Sequence, residues 1–189
     1  MNKDLLRDNY LIVKNFIPEE QAKSLADGFI LANKTKPFED CTQVFNSKRA
    51  SNTAAGLEVL CYESTKVSQI IKHNVIPTYT YTRIYKKGNV LKEHVDRDAC
   101  EISVTVHLDG DSVWPIWIKT PEKKSIRVDL QSGDAMIYLG RIAPHWRNAY
   151  NGDRYIQMFL HYIKSGGEYQ DNYFDIKNHE NLIMEEFRR

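Results

Sequence analysis

The chain has 189 residues and a formal net charge of +1, from 26 Lys and Arg against 25 Asp and Glu. This balance lacks the basic excess that phosphate backbones and anionic lipids attract, so we expect neither a nucleic-acid nor a membrane partner. Hydrophobic residues make up 42% and charged residues 27% of the chain, which excludes extended disorder and indicates a globular protein. The length is that of one domain and argues against a two-domain enzyme.

The three cysteines, Cys41, Cys61 and Cys100, are odd in number and far apart. They match neither a zinc-binding pattern nor a disulfide framework, and indicate reduced thiols. The first residues, MNKDLLRDNYLIVKNF, are charged throughout and lack the apolar core of a signal peptide, and no stretch approaches the roughly 18 apolar residues of a membrane helix. We therefore expect a soluble cytoplasmic protein.

The chain begins with a predicted strand followed by two predicted helices. Leu11 and Val13 alternate with other residues as in a short strand, and Pro18 then opens a stretch with helical spacing of apolar residues as far as Ile30. Residues 33–55 are polar and show no periodicity. A second helix is predicted from Leu60, ending near residue 74.

From Tyr79 onward the hydrophobic period changes from 3.6 to 2, which predicts strands. Turn signals such as Gly88-Asn89 and Asp109-Gly110 separate the alternating runs. We expect a mainly β, α+β domain: an antiparallel sandwich or barrel with helices on one side. Residues 1–78 would form its strand and supporting helices, 79–163 its β core and 164–189 a tail with a last short helix around Leu182, Ile183 and Phe187. The predicted core strands cover 79–85, 102–108, 114–119, 125–130, 135–138 and 155–163.

Three residues could hold a metal ion. His94 and Asp96 are two apart, so on a strand they point to the same face, and His145 at the start of a late strand offers a third ligand. Two histidines and one carboxylate on one face of a metal, with the opposite positions open, form the facial triad of non-haem Fe(II) oxygenases. On its own, His-x-Asp is more typical of a surface histidine beside a solvated carboxylate, so its sequence context has to decide.

That context resembles the Fe(II)/2-oxoglutarate-dependent dioxygenases, specifically their prolyl-4-hydroxylase-like branch. The resemblance implies a double-stranded β-helix, or jelly roll, that holds Fe(II) through His94, Asp96 and His145, binds 2-oxoglutarate beside it and uses O2 as a cosubstrate. It covers about residues 79–163 and rests on an ordered set of motifs: Arg83-Ile-Tyr85-Lys-Lys-Gly88 before the His94-Val-Asp96 unit, then Ser103-Val-Thr-Val-His-Leu108, Gln131-Ser-Gly133-Asp134-Ala-Met-Ile-Tyr138 and Pro144-His145.

The resemblance also implies residues that bind the cosubstrate. A basic residue after the distal histidine pairs with the far carboxylate of 2-oxoglutarate, and Arg154, at the start of the last strand, fits that place slightly better than Arg147. If residues 148–153 form a hairpin, both side chains approach the cosubstrate. Tyr85 matches a family tyrosine that hydrogen-bonds the oxo acid. Arg83 shares its strand face and would contact cosubstrate or substrate, or pack in the barrel.

Two further histidines are expected to be hydrogen-bonded or exposed rather than metal ligands. His107 forms a second His-x-Asp with Asp109, but the predicted turn at Asp109-Gly110 would direct that carboxylate away. His161 lies near the end of the last predicted strand.

The expected activity is hydroxylation of a C–H bond, and by family branch alone the leading substrate is a peptidyl or free proline. Another amino acid, a small metabolite or a nucleobase remains open as substrate. Two other classes also remain open: a non-catalytic jelly-roll module that binds a ligand, and a zinc hydrolase with similar ligands. The partner is in each case a peptide or a small molecule.

Overall fold

The computed structural model describes residues 1–175, so the predicted helix around Leu182, Ile183 and Phe187 lies outside the described residues. Helices and strands follow each other as α1 (Lys3–Asp8), β1 (Tyr10–Val13), α2 (Glu19–Thr35), β2 (Glu39–Asp40), β3 (Lys48–Ser51), α3 (Ala54–Tyr62), α4 (Ser64–Ile71), β4 (Val75–Lys86), β5 (Leu91–His94), β6 (Ile102–Gly110), β7 (Ile116–Lys119), β8 (Ser125–Val128), β9 (Ala135–Tyr138), β10 (His145–Arg147) and β11 (Arg154–Lys164). Short 3₁₀ turns occupy Asp98–Cys100 and Gln170–Asp175.

The strands form two antiparallel sheets. The larger has the order β1-β9-β6-β11-β4-β3-β2, and the smaller has the order β5-β10-β7-β8. Apolar side chains of both sheets pack together: Ile116 and Ile118 of the small sheet share a buried cluster with Met136 and Tyr138 of the large one. The predicted double-stranded β-helix, or jelly roll, is confirmed.

The helices cover the outer face of the large sheet. Ile156, Met158 and Leu160 of β11 belong to the buried cluster that includes the helices, whereas Tyr155 and Phe159 of the same strand belong to a cluster between the sheets. This alternation is what a strand buried on both faces requires. No helix within residues 1–175 is long and apolar enough to cross a membrane.

The amino-terminal half contains elements that the sequence did not predict. Helix α1 precedes the predicted first strand. Its six residues bury only Leu5, too few for a recognisable period, and the side chain of Asn2 caps it by accepting hydrogen bonds from the backbone N–H groups of Asp4 and Leu5. The predicted second helix is two helices that meet at Glu63.

The polar stretch 33–55 contains strands β2 and β3. β3 pairs with β4, so that Arg49 lies directly opposite Arg83. Its residues alternate too weakly in polarity to be recognised, because the neighbouring strand rather than an apolar face holds them.

Two predicted connections are wrong. β6 continues through Asp109 to Gly110, which pairs with Tyr155 of β11, so the turn begins only after Gly110. Residues 148–153 do not form a hairpin, because β10 belongs to the small sheet and β11 to the large one. The chain crosses between sheets there, and this separates His145 from Arg154.

Candidate metal and cosubstrate site

The two histidines of the predicted triad meet across the small sheet. His94 is the last residue of β5 and pairs with His145, the first residue of β10, and their ring centroids are 4.3 Å apart. Asp96 lies just beyond β5 rather than in the strand, so strand alternation does not position it. Its backbone N–H instead donates to the carbonyl of Gly140 at 2.9 Å, which turns the side chain toward the histidines.

Backbone carbonyls orient both imidazoles. The Nδ1 atom of His94 lies 2.8 Å from the carbonyl oxygen of Lys92, and that of His145 lies 3.0 Å from the carbonyl oxygen of Ala143. A carbonyl only accepts, so each Nδ1 carries the proton and each Nε2 presents a lone pair when the ring is neutral. Both Nε2 atoms lie 3.6 Å from Oδ1 of Asp96.

The donor set fits a divalent transition metal. Within residues 1–175, His94, Asp96 and His145 form a group whose ligand atoms all lie within 4.8 Å of one another. Two ligands about 2.1 Å from one metal ion stand about 3.0 to 3.6 Å apart at ordinary coordination angles. When both rings are neutral, the two Nε2 atoms and the Asp96 carboxylate are all hydrogen-bond acceptors and repel one another. A bound cation would remove that repulsion. The His₂-carboxylate composition is typical of non-haem Fe(II).

The protonation states of Asp96 and His145 also suit a metal. Burial alone would raise the pKa of Asp96, but the neighbouring imidazoles, which favour the carboxylate when they carry a proton, bring the pKa down to about 2. Burial also lowers the pKa of His145, despite the nearby Asp96 carboxylate. At neutral pH the carboxylate is therefore ionised and His145 is neutral, the forms that bind metals.

Two residues that the sequence analysis missed support Asp96. The hydroxyl of Ser103 donates to Oδ2 of Asp96 at 2.9 Å and lies 3.0 Å from Nδ1 of the buried His161. A Cβ atom on Gly140 would stand 2.6 Å from the same Oδ2 and 2.5 Å from the Ser103 hydroxyl. Gly140 belongs to no recognisable local motif, and Ser103 opens one of the motifs of the resemblance but had no role assigned to it, because both are needed for contacts made only in the folded chain.

The described part of the chain contains a second group of possible metal ligands: Asp96, Cys100 and His161. Its ligand atoms also lie within 4.8 Å of one another, and it shares Asp96 with the first group. Burial raises the pKa of the Cys100 thiol, whose sulfur lies 3.0 Å from the hydroxyl of Tyr79. A neutral thiol is a poor metal ligand. His161 is buried and hydrogen-bonded, as predicted for it, so the first group is the candidate metal site.

Arg147 lies between the two sheets, with 1% of its surface exposed. Its guanidinium donates to the carbonyl oxygen of Trp114 and, at 3.3 Å, to Oε1 of Gln157, and it stacks over the rings of Trp114 and Tyr155. No carboxylate within residues 1–175 pairs with it. A buried guanidinium without a counter-ion is costly, and this cost indicates a missing anion.

Gln157 is a further residue of this pocket that the sequence analysis missed. It is fully buried on β11, and its Nε2 atom donates to the hydroxyl of Thr105 at 2.6 Å. This bond fixes the amide so that its oxygen faces Arg147. The sequence feature that would have identified Gln157 is its polar amide within an otherwise apolar strand.

Arg154 lies away from this pocket. Its side chain is half exposed and pairs with the carboxylate of Asp109 at 2.9 Å. The structure therefore brings Arg147, but not Arg154, between the sheets.

Tyr85 is fully buried and packs edge-on against Trp114 and Tyr155, the two rings that hold Arg147. Its hydroxyl accepts a hydrogen bond from Nη1 of Arg83 at 3.1 Å. Tyr85 thus bonds one buried arginine, Arg83, and packs against the two rings that surround the other.

His107 is buried and stacks on Tyr155 with the ring centroids 4.2 Å apart. Burial, assisted by the charge of Arg147, lowers the pKa of His107 to about 4. It belongs to neither metal-binding group of the described residues.

A cavity of about 640 Å³ opens beside the triad. His94 and Asp96 line it together with the aromatic rings of Tyr79 and Tyr81 and the guanidinium of Arg83. It is large enough for a small substrate or for one residue of a peptide.

No family model and no curated protein matches the chain. Solved structures with the same fold include a prolyl-4-hydroxylase from Pseudomonas putida, with a TM-score of 0.70 and 13% identity over 86% of this chain and 96% of that one. A prolyl hydroxylase from Trichoplax adhaerens, in complex with a hypoxia inducible factor peptide fragment, gives 0.68 and 16% identity over 84% and 86%. HygX from Streptomyces hygroscopicus, with nickel and 2-oxoglutarate bound, gives 0.68 and 9% identity over 86% of each chain. At these identities the likeness shows the fold.

Proposed function

We propose that the protein is an Fe(II)- and 2-oxoglutarate-dependent dioxygenase that hydroxylates a substrate C–H bond. The observation that carries this proposal is the convergence of two carbonyl-oriented imidazoles on one carboxylate oxygen. The jelly-roll fold supports the proposal, since it is shared with prolyl hydroxylases and with a protein solved with 2-oxoglutarate bound.

His94, Asp96 and His145 would hold Fe(II), and Arg147 would hold the far carboxylate of 2-oxoglutarate. His145 and Arg147 are both buried and two apart on β10, so their backbones are about 6 to 7 Å apart along the strand. That separation suits a five-carbon diacid whose other end chelates the metal. Tyr85 packs against the same two rings as Arg147, and Gln157 accepts a hydrogen bond from the Arg147 guanidinium. Burial without a carboxylate partner favours Arg147 over Arg154 for this role.

The chemistry of the bound iron and cosubstrate would be O2 activation, with oxidative decarboxylation of 2-oxoglutarate to succinate and CO2 coupled to substrate hydroxylation. The chain itself contributes orientation. Three ligands on one side leave the other side open for cosubstrate and O2. The packing of Trp114 and Tyr155 around Arg147 excludes water from the charged end of the cosubstrate. The cavity brings the substrate to the side where His94 and Asp96 are accessible.

A peptidyl or free proline is the leading substrate, supported by the two prolyl hydroxylases with this fold. The alternative is another amino acid or a small metabolite, since HygX has also been solved with hygromycin B bound. A non-catalytic module has no use for the oriented triad, and a zinc hydrolase leaves Arg147 without a role. We place the protein in the cytoplasm, in keeping with its three free cysteines.

Anaerobic titration with Fe(II) and 2-oxoglutarate tests the proposal. We expect a weak visible charge-transfer band in the wild type and none in His94→Ala. Arg147→Met should keep Fe(II) binding but weaken 2-oxoglutarate binding at least tenfold, because a buried charged hydrogen bond is lost. Arg127→Met is the matched control, since Arg127 is an exposed arginine paired with Asp129. Absence of the band in the wild type, together with absence of succinate formation in air, would refute the assignment.

A further inference from the structure

Arg83 is a second buried guanidinium without a counter-ion. It exposes 2% of its surface, yet it lines the cavity that contains His94 and Asp96. Its terminal nitrogens donate to neutral partners, the hydroxyl of Tyr85 at 3.1 Å and Oε1 of Gln43 at 2.8 Å. Its Nε atom has no partner, and no carboxylate within residues 1–175 forms an ion pair with it.

Arg49 lies directly opposite Arg83 on the neighbouring strand and also lines the cavity. Directly opposed side chains of like charge destabilise a sheet unless something compensates them. The Nε atom of Arg49 is likewise buried without a partner, and its ion pair with Glu39 is long, at 3.5 Å. Two guanidinium groups at directly opposed strand positions therefore line one cavity, and the Nε atom of each lacks a hydrogen-bond partner.

The surroundings of these arginines differ from those of Arg147. Arg147 is enclosed between the sheets by Trp114 and Tyr155, whereas Arg83 donates to the hydroxyl of Tyr85 and lines the cavity. The cavity wall next to Arg83 is aromatic, with the rings of Tyr79 and Tyr81 stacked 6.2 Å apart. One anion site is thus closed and the other is open to entering molecules.

We propose that the substrate carries a free carboxylate that Arg83 and Arg49 bind, while its apolar part lies against Tyr79 and Tyr81. A carboxylate would supply the counter-ion that Arg83 lacks and that Arg49 meets only in its long contact with Glu39, and the planar guanidinium group matches the two oxygens of a carboxylate. The inference rests on the proposed function and narrows it. A free amino acid, a carboxy-terminal residue or another small acid fits this site, and an internal residue of a polypeptide does not.

Matched probe pairs test the proposal. N-acetyl-L-proline and N-acetyl-L-leucine are each compared with their primary amides by calorimetric titration, on metal-free protein and on protein loaded with Ni(II) and 2-oxoglutarate. We expect the wild type to bind at least one acid ten or more times more tightly than its amide. Arg83→Gln should reduce this preference to about twofold or less, and Arg83→Lys should restore part of it. The exposed-arginine control Arg127→Gln should retain it.

The measured affinity for 2-oxoglutarate separates this inference from the proposed function. It should stay within about twofold of wild type in Arg83→Gln and fall tenfold or more in Arg147→Gln. Equal binding of acids and amides by the wild type would overturn the carboxylate site without affecting the assignment of the iron site. Loss of 2-oxoglutarate binding in Arg83→Gln would also overturn it, because Arg83 would then be the cosubstrate arginine.

Discussion

Substitution of Gly140 by alanine should damage the proposed metal site without replacing any of its ligand residues. The new Cβ atom would stand 2.6 Å from Oδ2 of Asp96 and 2.5 Å from the hydroxyl of Ser103, distances that real Cβ contacts do not adopt. The backbone carbonyl of Cys100 is also close to the new Cβ atom, so residue 140 cannot relieve the contacts by shifting toward Cys100. Overpacking of this kind costs about 1 to 3 kcal/mol of unfolding free energy. Because Asp96 has to move, metal affinity should fall about 10- to 100-fold.

Urea unfolding of the metal-free protein and Mn(II) binding followed by electron paramagnetic resonance measure the two effects. Gly28→Ala is the matched control: Gly28 lies in helix α2, and nothing stands within 4 Å of the position that a Cβ atom would take there. It should gain about 0.5 to 1 kcal/mol from the higher helix propensity of alanine and keep its Mn(II) affinity. If Gly140→Ala matched wild type in both measurements, the tight packing around Asp96 would play no part in holding the ligand.

Three further substitutions test residues that surround the proposed metal and cosubstrate sites. Ser103→Ala removes the hydroxyl that holds Oδ2 of Asp96, and we expect a 10- to 100-fold loss of Mn(II) affinity with the fold retained by circular dichroism. Gln157→Leu frees Arg147, so 2-oxoglutarate should bind about tenfold more weakly while Mn(II) affinity is unchanged; a loss of both would contradict the assigned role. The pKa of His107 is lowered from 6.5 to about 4, so the folded state holds fewer protons than the unfolded chain in that interval, and stability falls as the pH falls. Between pH 7 and pH 5 the wild type should lose about 2 kcal/mol more unfolding free energy than His107→Gln, and equal losses would refute the buried neutral imidazole.

The alternation of apolar residues predicted an antiparallel sandwich or barrel because it is regular enough for the strand period to show, whereas the jelly roll itself was implied by the family resemblance. β9 begins and ends where the alternation does, at Ala135 and Tyr138, and β4 and β11 extend beyond the predicted runs by only a few residues. α1 and β3 were missed because neither has a face of its own to bury. Leu5 alone anchors α1, and β3 is held by pairing with β4.

The proposed metal ligands could be predicted from the sequence, while the residues that support them could not. His94, Asp96 and His145 were found from chemical type and order along the chain, and Asp96 reaches the site although it lies outside the strand that its spacing from His94 predicted. Gly140 and Ser103 matter only because the folded chain brings them against Asp96. No local pattern encodes such a requirement.

The choice between Arg147 and Arg154 depends on how the chain connects the sheets. A hairpin at residues 148–153 would bring both arginines near the cosubstrate. The crossover instead leaves Arg147 on the inner face of the small sheet and Arg154 at the start of β11, paired with Asp109. A hairpin within one sheet and a crossover between two sheets use the same turn residues when they have the same length. The sequence of residues 148–153 therefore does not distinguish the two connections.

Arg83 and Arg147 are buried charges that weaken the fold, and the proposed binding of anions explains why the fold contains them. Each guanidinium is removed from water and compensated only by neutral groups, Tyr85 and Gln43 for Arg83, and Gln157 with a backbone carbonyl for Arg147. Such desolvation costs several kcal/mol, and apolar residues of similar volume would pack the same space at lower cost. The far carboxylate of 2-oxoglutarate at Arg147 and a substrate carboxylate at Arg83 would recover this free energy on binding. On this proposal the protein gives up stability at the two positions where it binds anions.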